Sequence, residues 1–224
     1  MQQEKVVTLR DVETHERVKA FIERADKNLE AFGYTEHSFR HAETVADSSR
    51  RILHTLGCPP RECELAAIAG FLHDIGNVVE RTHHYHVGAL LAVDILKDLK
   101  MKEEEIAEIA SAIGNHDEKN GQPVNILSAA VILADKSDVH RSRVRNPDYT
   151  KFDIHDRVNY AVEQSSLEIN TENNVISLRL EIDTSMSTVM EYFEIFLSRM
   201  IMCRRAADFL SSRFSLIINN VQLL

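Results

Sequence analysis

Apolar positions recur at helical spacing through most of the chain. From about Asp11 to Ala31 they are Val18, Phe21, Ile22, Ala25 and Leu29, with charged residues between and Gly33-Tyr34 as the stop. Thr35 reads as the N-cap of a second helix over about Glu36 to Leu56. Its inner face is Ala42, Val45, Ala46, Ser49, Ile52, Leu53 and Leu56, and His37 and His41 stand one turn apart near its start. Gly57-Cys58-Pro59-Pro60 is a turn, and a third helix runs from about Arg61 to His73. The stretch from Leu65 to Ala69 has no polar face, so this helix is predicted to be buried on all sides. Val78 to His83 reads as a loop. A fourth helix from His84 carries Leu91, Ile95 and Leu99, and a fifth from Glu103 to Asn115 turns Ile106, Ile109, Ala110 and Ile113 inward. A sixth, about Ile126 to Val139, is again apolar nearly all round. Asn146-Pro147-Asp148 breaks the pattern.

After about Gln164 the period changes to two. Leu167-Glu168-Ile169 and Val175 to Ile182 alternate apolar and polar around Thr171-Glu172-Asn173-Asn174, which predicts a β-hairpin. A long helix comes next, from about Ser185, and Phe214 to Val221 suits a third strand. The expected fold is therefore mainly α: a helical bundle over 1–164, then an α+β appendage over 165–224 that serves as an oligomer contact, a homodimer being the simplest case, or covers the site.

Composition narrows the function. The 224 residues hold 26 Lys+Arg against 35 Asp+Glu, a net charge of −9, which disfavours a general nucleic-acid binder because such proteins need a basic face. Three cysteines without a CxxC pair, and a start Met1-Gln2-Gln3-Glu4-Lys5 without a secretory pattern, point to the cytoplasm. No apolar run is long enough to span a bilayer.

Both all-apolar helices end in polar residues of the metal-ligand type. The third ends in His73-Asp74 and the sixth in Asp135-Lys136. Setting such groups at the end of a buried helix is costly without compensation, and a divalent ion supplies it. The residues after the third helix also suit an ordinary helix end, with His73 as cap, Asp74 in the turn and Gly76 at the stop.

The ordered set His41…His73-Asp74…Asp135 resembles the HD superfamily of metal-dependent phosphohydrolases, over roughly Tyr34 to Arg145. The resemblance implies an all-helical domain in which these four residues hold a divalent ion. His84, four residues before Gly88, and His116, after Ile113-Gly114-Asn115, look like the extra ligands of two-metal members; His83 and His86 are the alternatives to His84. The run Asn120-Gly121-Gln122-Pro123 is similar to the HD-GYP phosphodiesterases, although the GYP tripeptide is absent, one His rather than a pair stands at His116, and Asn77 replaces the usual Lys. The resemblance further implies hydrolysis of a phosphomonoester or phosphodiester of a nucleotide-like small molecule, with two ions drawn from Mn, Fe, Ni, Co, Zn or Mg. Asp74 would bridge the ions or orient water. The four-residue spacing of His37 and His41 resembles the mammalian-type cyclic nucleotide phosphodiesterases, though Ser38 stands where they have Asn, and implies His37 as general acid; a helix cap or a hydrogen bond behind the ligands is the alternative. Lys136, or the run from Arg141 to Arg145, would receive phosphate, with Asn77 also facing substrate. For the Arg run, a solvated basic helix end is an equal alternative. The competing function is a catalytically silent module that binds metal and nucleotide.

Overall fold

The computed structural model describes residues 6–224; Met1 to Lys5, whose sequence lacks a secretory pattern, lie outside the described residues. The described residues form nine α-helices: α1 (Leu9–Glu13), α2 (Glu16–Ala31), α3 (Phe39–Thr55), α4 (Pro60–Leu72), α5 (His84–Asp98), α6 (Glu103–Gly114), α7 (Ile126–Ser137), α8 (Ile154–Ala161) and α9 (Val189–Phe209). Four strands come after α8 or flank α9: β1 (Val162–Asn170), β2 (Val175–Ile182), β3 (Arg213–Ile218) and β4 (Val221–Gln222). The chain is thus mainly α and not all-α. No helix is long and apolar enough to cross a membrane among the described residues.

α4 and α7 are the central helices, and their sequences explain it. Leu65 through Leu72 on α4 and Leu127 through Ala134 on α7 are buried on every side, as expected of helices with no polar stripe. α3 packs on both, presenting Ala42, Val45, Ala46, Ile52 and Leu53. Gly70 sets the α3–α4 approach: a Cβ there would lie 3.0 Å from the Val45 carbonyl oxygen and 3.1 Å from Ala46 Cα. α5 and α6 pair beside them, and α9 lies along α7.

Three helix starts differ from the expected ones, each for a local reason. The first predicted helix is two, because the Thr14 hydroxyl donates to the Arg10 carbonyl at 2.8 Å and His15 turns extended. The N-cap of α3 is Ser38, not Thr35; its hydroxyl accepts from the Arg40 N–H. Residues 35–37 bridge to other parts of the molecule, with the Glu36 N–H donating to the Arg143 carbonyl and the His37 N–H to Asp26. His37 and His41 therefore do not share a helix face. α9 begins at Val189 because Thr188 and Glu191 form a reciprocal capping box there.

The sheet runs in the order β1-β2-β3-β4. β1 and β2 form the expected antiparallel hairpin, with an irregularity between Val162 and Gln164. β2 and β3 are parallel and joined across α9, and β4 closes antiparallel on β3. Leu167, Ile176, Leu178, Leu180, Phe214, Leu216 and Ile218 make its buried side.

Candidate metal centre

The turn after α4 carries the two central side chains. His73 is the C-cap of α4, and Asp74 opens the 3-10 turn Ile75–Val78. His41 arrives from the first turn of α3, His84 from the first residue of α5, His116 from just beyond α6 and Asp135 from the last turn of α7. Gly76 makes this convergence possible, since any Cβ there would overlap the His84 carbonyl.

Each of the four imidazoles is held from behind. His73 Nδ1 lies 2.7 Å from the Gly70 carbonyl oxygen, His84 Nδ1 2.8 Å from that of Arg81, and His116 Nδ1 2.7 Å from that of Ile113. His41 Nδ1 lies 2.7 Å from Asp138 Oδ2. Those oxygens only accept, so a neutral ring carries its proton on Nδ1 and turns an Nε2 lone pair inward. The four Nε2 atoms then meet: His41 and His73 at 3.3 Å, His84 and His116 at 3.1 Å. All four residues are buried, 1–3% exposed. Facing lone pairs at that separation repel unless a proton or a metal cation lies between them. Two nitrogens bound to one tetrahedral ion at about 2.0–2.1 Å stand about 3.3–3.4 Å apart, close to the spacing found.

Asp74 divides its two oxygens between the pairs. Oδ2 lies 3.4 Å from His73 Nε2 and 3.7 Å from His41 Nε2, whereas Oδ1 lies 3.3 Å from His84 Nε2 and 3.9 Å from His116 Nε2. Asp135 Oδ1 faces His41 at 3.5 Å and His73 at 3.7 Å. The triads His41–His73–Asp74, His73–His116–Asp135 and Asp74–His84–His116 each bring their ligand atoms within 4.8 Å of one another.

The electrostatics favour positive charge at this point. Burial opposes a proton on His73, but Asp74 and Asp135 outweigh it and raise the pKa to about 10. Burial pushes His84 down, and burial with His73 and His84 nearby pushes His116 well below the usual range, so both are neutral ligand-type rings. Burial would raise both carboxyl pKa values. His73 beside Asp74 and Lys136 beside Asp135 prevail, holding them well below the usual carboxylate range.

The remaining expected residues fall in different places. His83 is exposed against Glu80, and His86 is exposed against the Tyr85 ring, so of the three candidates only His84 enters the cluster. His37 Nε2 lies 3.8 Å from Asp74 Oδ2, while its Nδ1 faces the Thr35 carbonyl oxygen at 2.6 Å. Burial and the nearby Arg143 hold the His37 pKa well below 6.5. Asn77 is buried and donates to both the backbone oxygen and Oδ1 of Asp74, each at 2.9 Å. Lys136 is buried between Asp135 Oδ2 at 2.6 Å and Glu118 Oε2 at 2.8 Å, and Arg199 of α9 donates to Glu118 at 3.3 Å. Arg141 pairs with Glu163 at 2.8 Å and stacks on Tyr160; Arg145 pairs with Asp26 and Glu30.

Sequence reasoning passed over Asp138, Glu118, Arg81 and Arg199. Asp138 lies one helical turn beyond Asp135, and Glu118 two residues beyond His116, so their positions carried a local signal. Arg199 carried none, because only the packing of α9 on α7 brings it near.

Comparison with known proteins places these residues in context. Residues 36–140 match the family model described as HD domain, a span that holds every ligand-type residue above and excludes α9 and the sheet. The uncharacterized protein MJ1020 of Methanocaldococcus jannaschii is 29% identical over 165 residues, 64% of this chain and 63% of that protein. The chain therefore spans less than two thirds of that relative's length. A crystal structure of a predicted HD superfamily hydrolase from an uncultured Thermotogales bacterium covers 55% of this chain and 67% of its own at 22% identity, with a TM-score of 0.44.

Proposed function

Because residues 36–140 form an HD domain, we propose that this chain is a two-metal phosphohydrolase, cleaving a phosphomonoester or phosphodiester of a nucleotide-like substrate. The observation that carries the reading is the Asp74 carboxylate, whose separate oxygens face two separate histidine pairs. His41, His73, Asp74 Oδ2 and Asp135 would hold one ion; His84, His116 and Asp74 Oδ1 would hold the other. Four imidazoles with two carboxylates suit Mn, Fe, Co, Ni or Zn better than the all-oxygen preference of Mg. Bound divalent ions supply Lewis acidity, activating water and neutralising charge on phosphoryl oxygens.

The chain's own groups do the rest. Asn77 fixes the rotamer of Asp74 through its two hydrogen bonds, so both carboxylate oxygens keep their bearings. Asp138 orients His41 from behind. With its Nδ1–H donating to the Thr35 carbonyl oxygen, His37 turns an Nε2 lone pair toward Asp74, so as held here it has no proton to give on that side. Lys136 stays charged, because Asp135 and Glu118 together outweigh its burial; it neutralises the outer side of Asp135. The helices α1 to α8 carry the chemistry on this reading and the part from β1 onward braces it, since the expected boundary after residue 164 falls inside β1 (Val162–Asn170).

The test is product formation from a panel of nucleotides and generic phosphoesters, read as inorganic phosphate from monoesters and as the monoester product from diesters, with each of Mn(II), Fe(II), Co(II), Ni(II), Zn(II) and Mg(II) added to metal-stripped protein. Turnover that is metal-dependent and lost in Asp74→Ala, together with about two ions bound per chain by elemental analysis, is expected. Two bound ions with no turnover of any phosphoester would leave a silent binding module.

A further inference from the structure

Among the described residues near the centre, a single cation both touches a ligand-type carboxylate and keeps solvent-exposed donors. Lys136 lies between two carboxylates, and Arg143 is buried with donors on the Asp138 and Glu36 carbonyl oxygens at 2.6 and 2.8 Å. Arg40 is shared by Glu36 and Asp138; Arg199, Arg141 and Arg145 are paired with Glu118, Glu163 and Asp26. Arg81 differs. Its Nη1 accounts for both of its polar contacts, 3.2 Å from Asn77 Oδ1 and 3.6 Å from Asp74 Oδ1, and among the described residues its Nε and Nη2 have no hydrogen-bond acceptor. The side chain is 32% exposed, so those donors meet solvent. Its guanidinium lies 5.7 Å from the ring centroid of Tyr34, itself half-exposed.

Arg81 also stands on the open side of the cluster. The ligand carboxylates Asp74 and Asp135 keep 15% and 13% of their side-chain exposure, whereas the ligand-type histidines are closed off. The backbone carbonyl of Arg81 is the acceptor that orients His84. One residue thus fixes a ligand-type ring with its backbone and holds an unspent cationic fork beside the bridging carboxylate.

We infer that Arg81 is the phosphate-binding cation of this centre, receiving oxygens of a phosphate monoester or diester through Nε and Nη2, with Tyr34 supporting the guanidinium from its other side. An arginine fork suits that task because two parallel N–H donors match a phosphate edge. A phosphate so held sits beside Asp74, where both histidine pairs can address it. The inference rests on the phosphohydrolase reading for its substrate but not for its ligand chemistry, and the experiment separates the two.

The probe is inorganic phosphate, titrated calorimetrically into Mn(II)-loaded protein, alongside steady-state kinetics on whichever phosphoester is turned over. Arg81→Ala should weaken phosphate binding and raise KM by about 10- to 100-fold, with kcat little changed and metal content intact. Arg81→Lys should recover part of the loss as a point charge, and Tyr34→Phe should be near wild type while Tyr34→Ala is not. If Arg81→Ala sheds metal through a disturbed His84, Arg81→Lys and Arg81→Gln at wild-type metal content carry the comparison instead. Phosphate affinity that is unchanged in these variants, or absent in the wild type, overturns the inference. Arg81-dependent phosphate binding without turnover of any ester would support it while defeating the enzymatic reading.

Discussion

The four ligand-type imidazoles share one arrangement, Nδ1 on a fixed oxygen and Nε2 turned inward, but only His41 leans on a carboxylate. The Asp138 charge makes that ring a stronger donor to a metal than a peptide carbonyl does. Asp138→Asn should therefore keep the fold, through a retained acceptor, yet weaken metal binding by about 10- to 100-fold, read by competitive chelator titration. His54→Ala, at an exposed position on α3, should change nothing in the same assay. At this scale the ligand-type residues were legible because each sits where an apolar helix ends. The groups behind them were not, since three of the four acceptors are backbone carbonyls that no residue type marks.

Helix placement decides whether those residues meet. The seam between the 3-10 turn Ile75–Val78 and α5 is closed by Gly76, with no room for a Cβ against the His84 carbonyl. Gly76→Ala should cost about 3 kcal/mol or more, at the upper end of overpacking, and displace His84, so urea denaturation and metal stoichiometry should both fall. Gly33→Ala is the contrast: its φ is +77° with nothing within 4 Å of a Cβ, so about 1–2 kcal/mol of backbone strain is expected without loss of metal. The period of the apolar residues located the longer helices well, because α4 and α7 are buried all round and α3 on one face. It misplaced the start of α3. Thr35 and Ser38 are both good caps by residue type, and the choice between them is made by Asp26 and Arg143, distant in sequence. The short α8 carried too little period to be seen.

Across the whole molecule, α9 reaches the centre through alternating charges: Arg199, Glu118, Lys136, Asp135. Burial would raise the Glu118 pKa, but Lys136 and Arg199 dominate and hold it well below 4.5. A carboxyl depressed in the folded state contributes stability that is fully present above its unfolded pKa of about 4.3 and is lost as pH falls toward the folded value. Metal-free Glu118→Gln should thus be less stable than the parent at pH 7, and the gap should narrow once pH drops below about 4, measured by urea midpoints across a pH series. The hairpin and the long helix were legible in the period of the tail, but its link to the metal-type residues was not, because it depends on which face of α9 meets α7. The parallel pairing of β2 with β3 across α9 has a consequence for the order of assembly. Val175 and Arg213 pair only after the intervening helix has folded back, and such non-local pairing is slow. The six ligand-type residues lie within a span that closes by helix packing alone, whereas the Arg199 contact forms only when α9 docks. The helix contacts that gather the six ligand-type residues are therefore expected to form ahead of the β2–β3 pairing, with pulsed hydrogen exchange protecting α4 and α7 before β3 as the check.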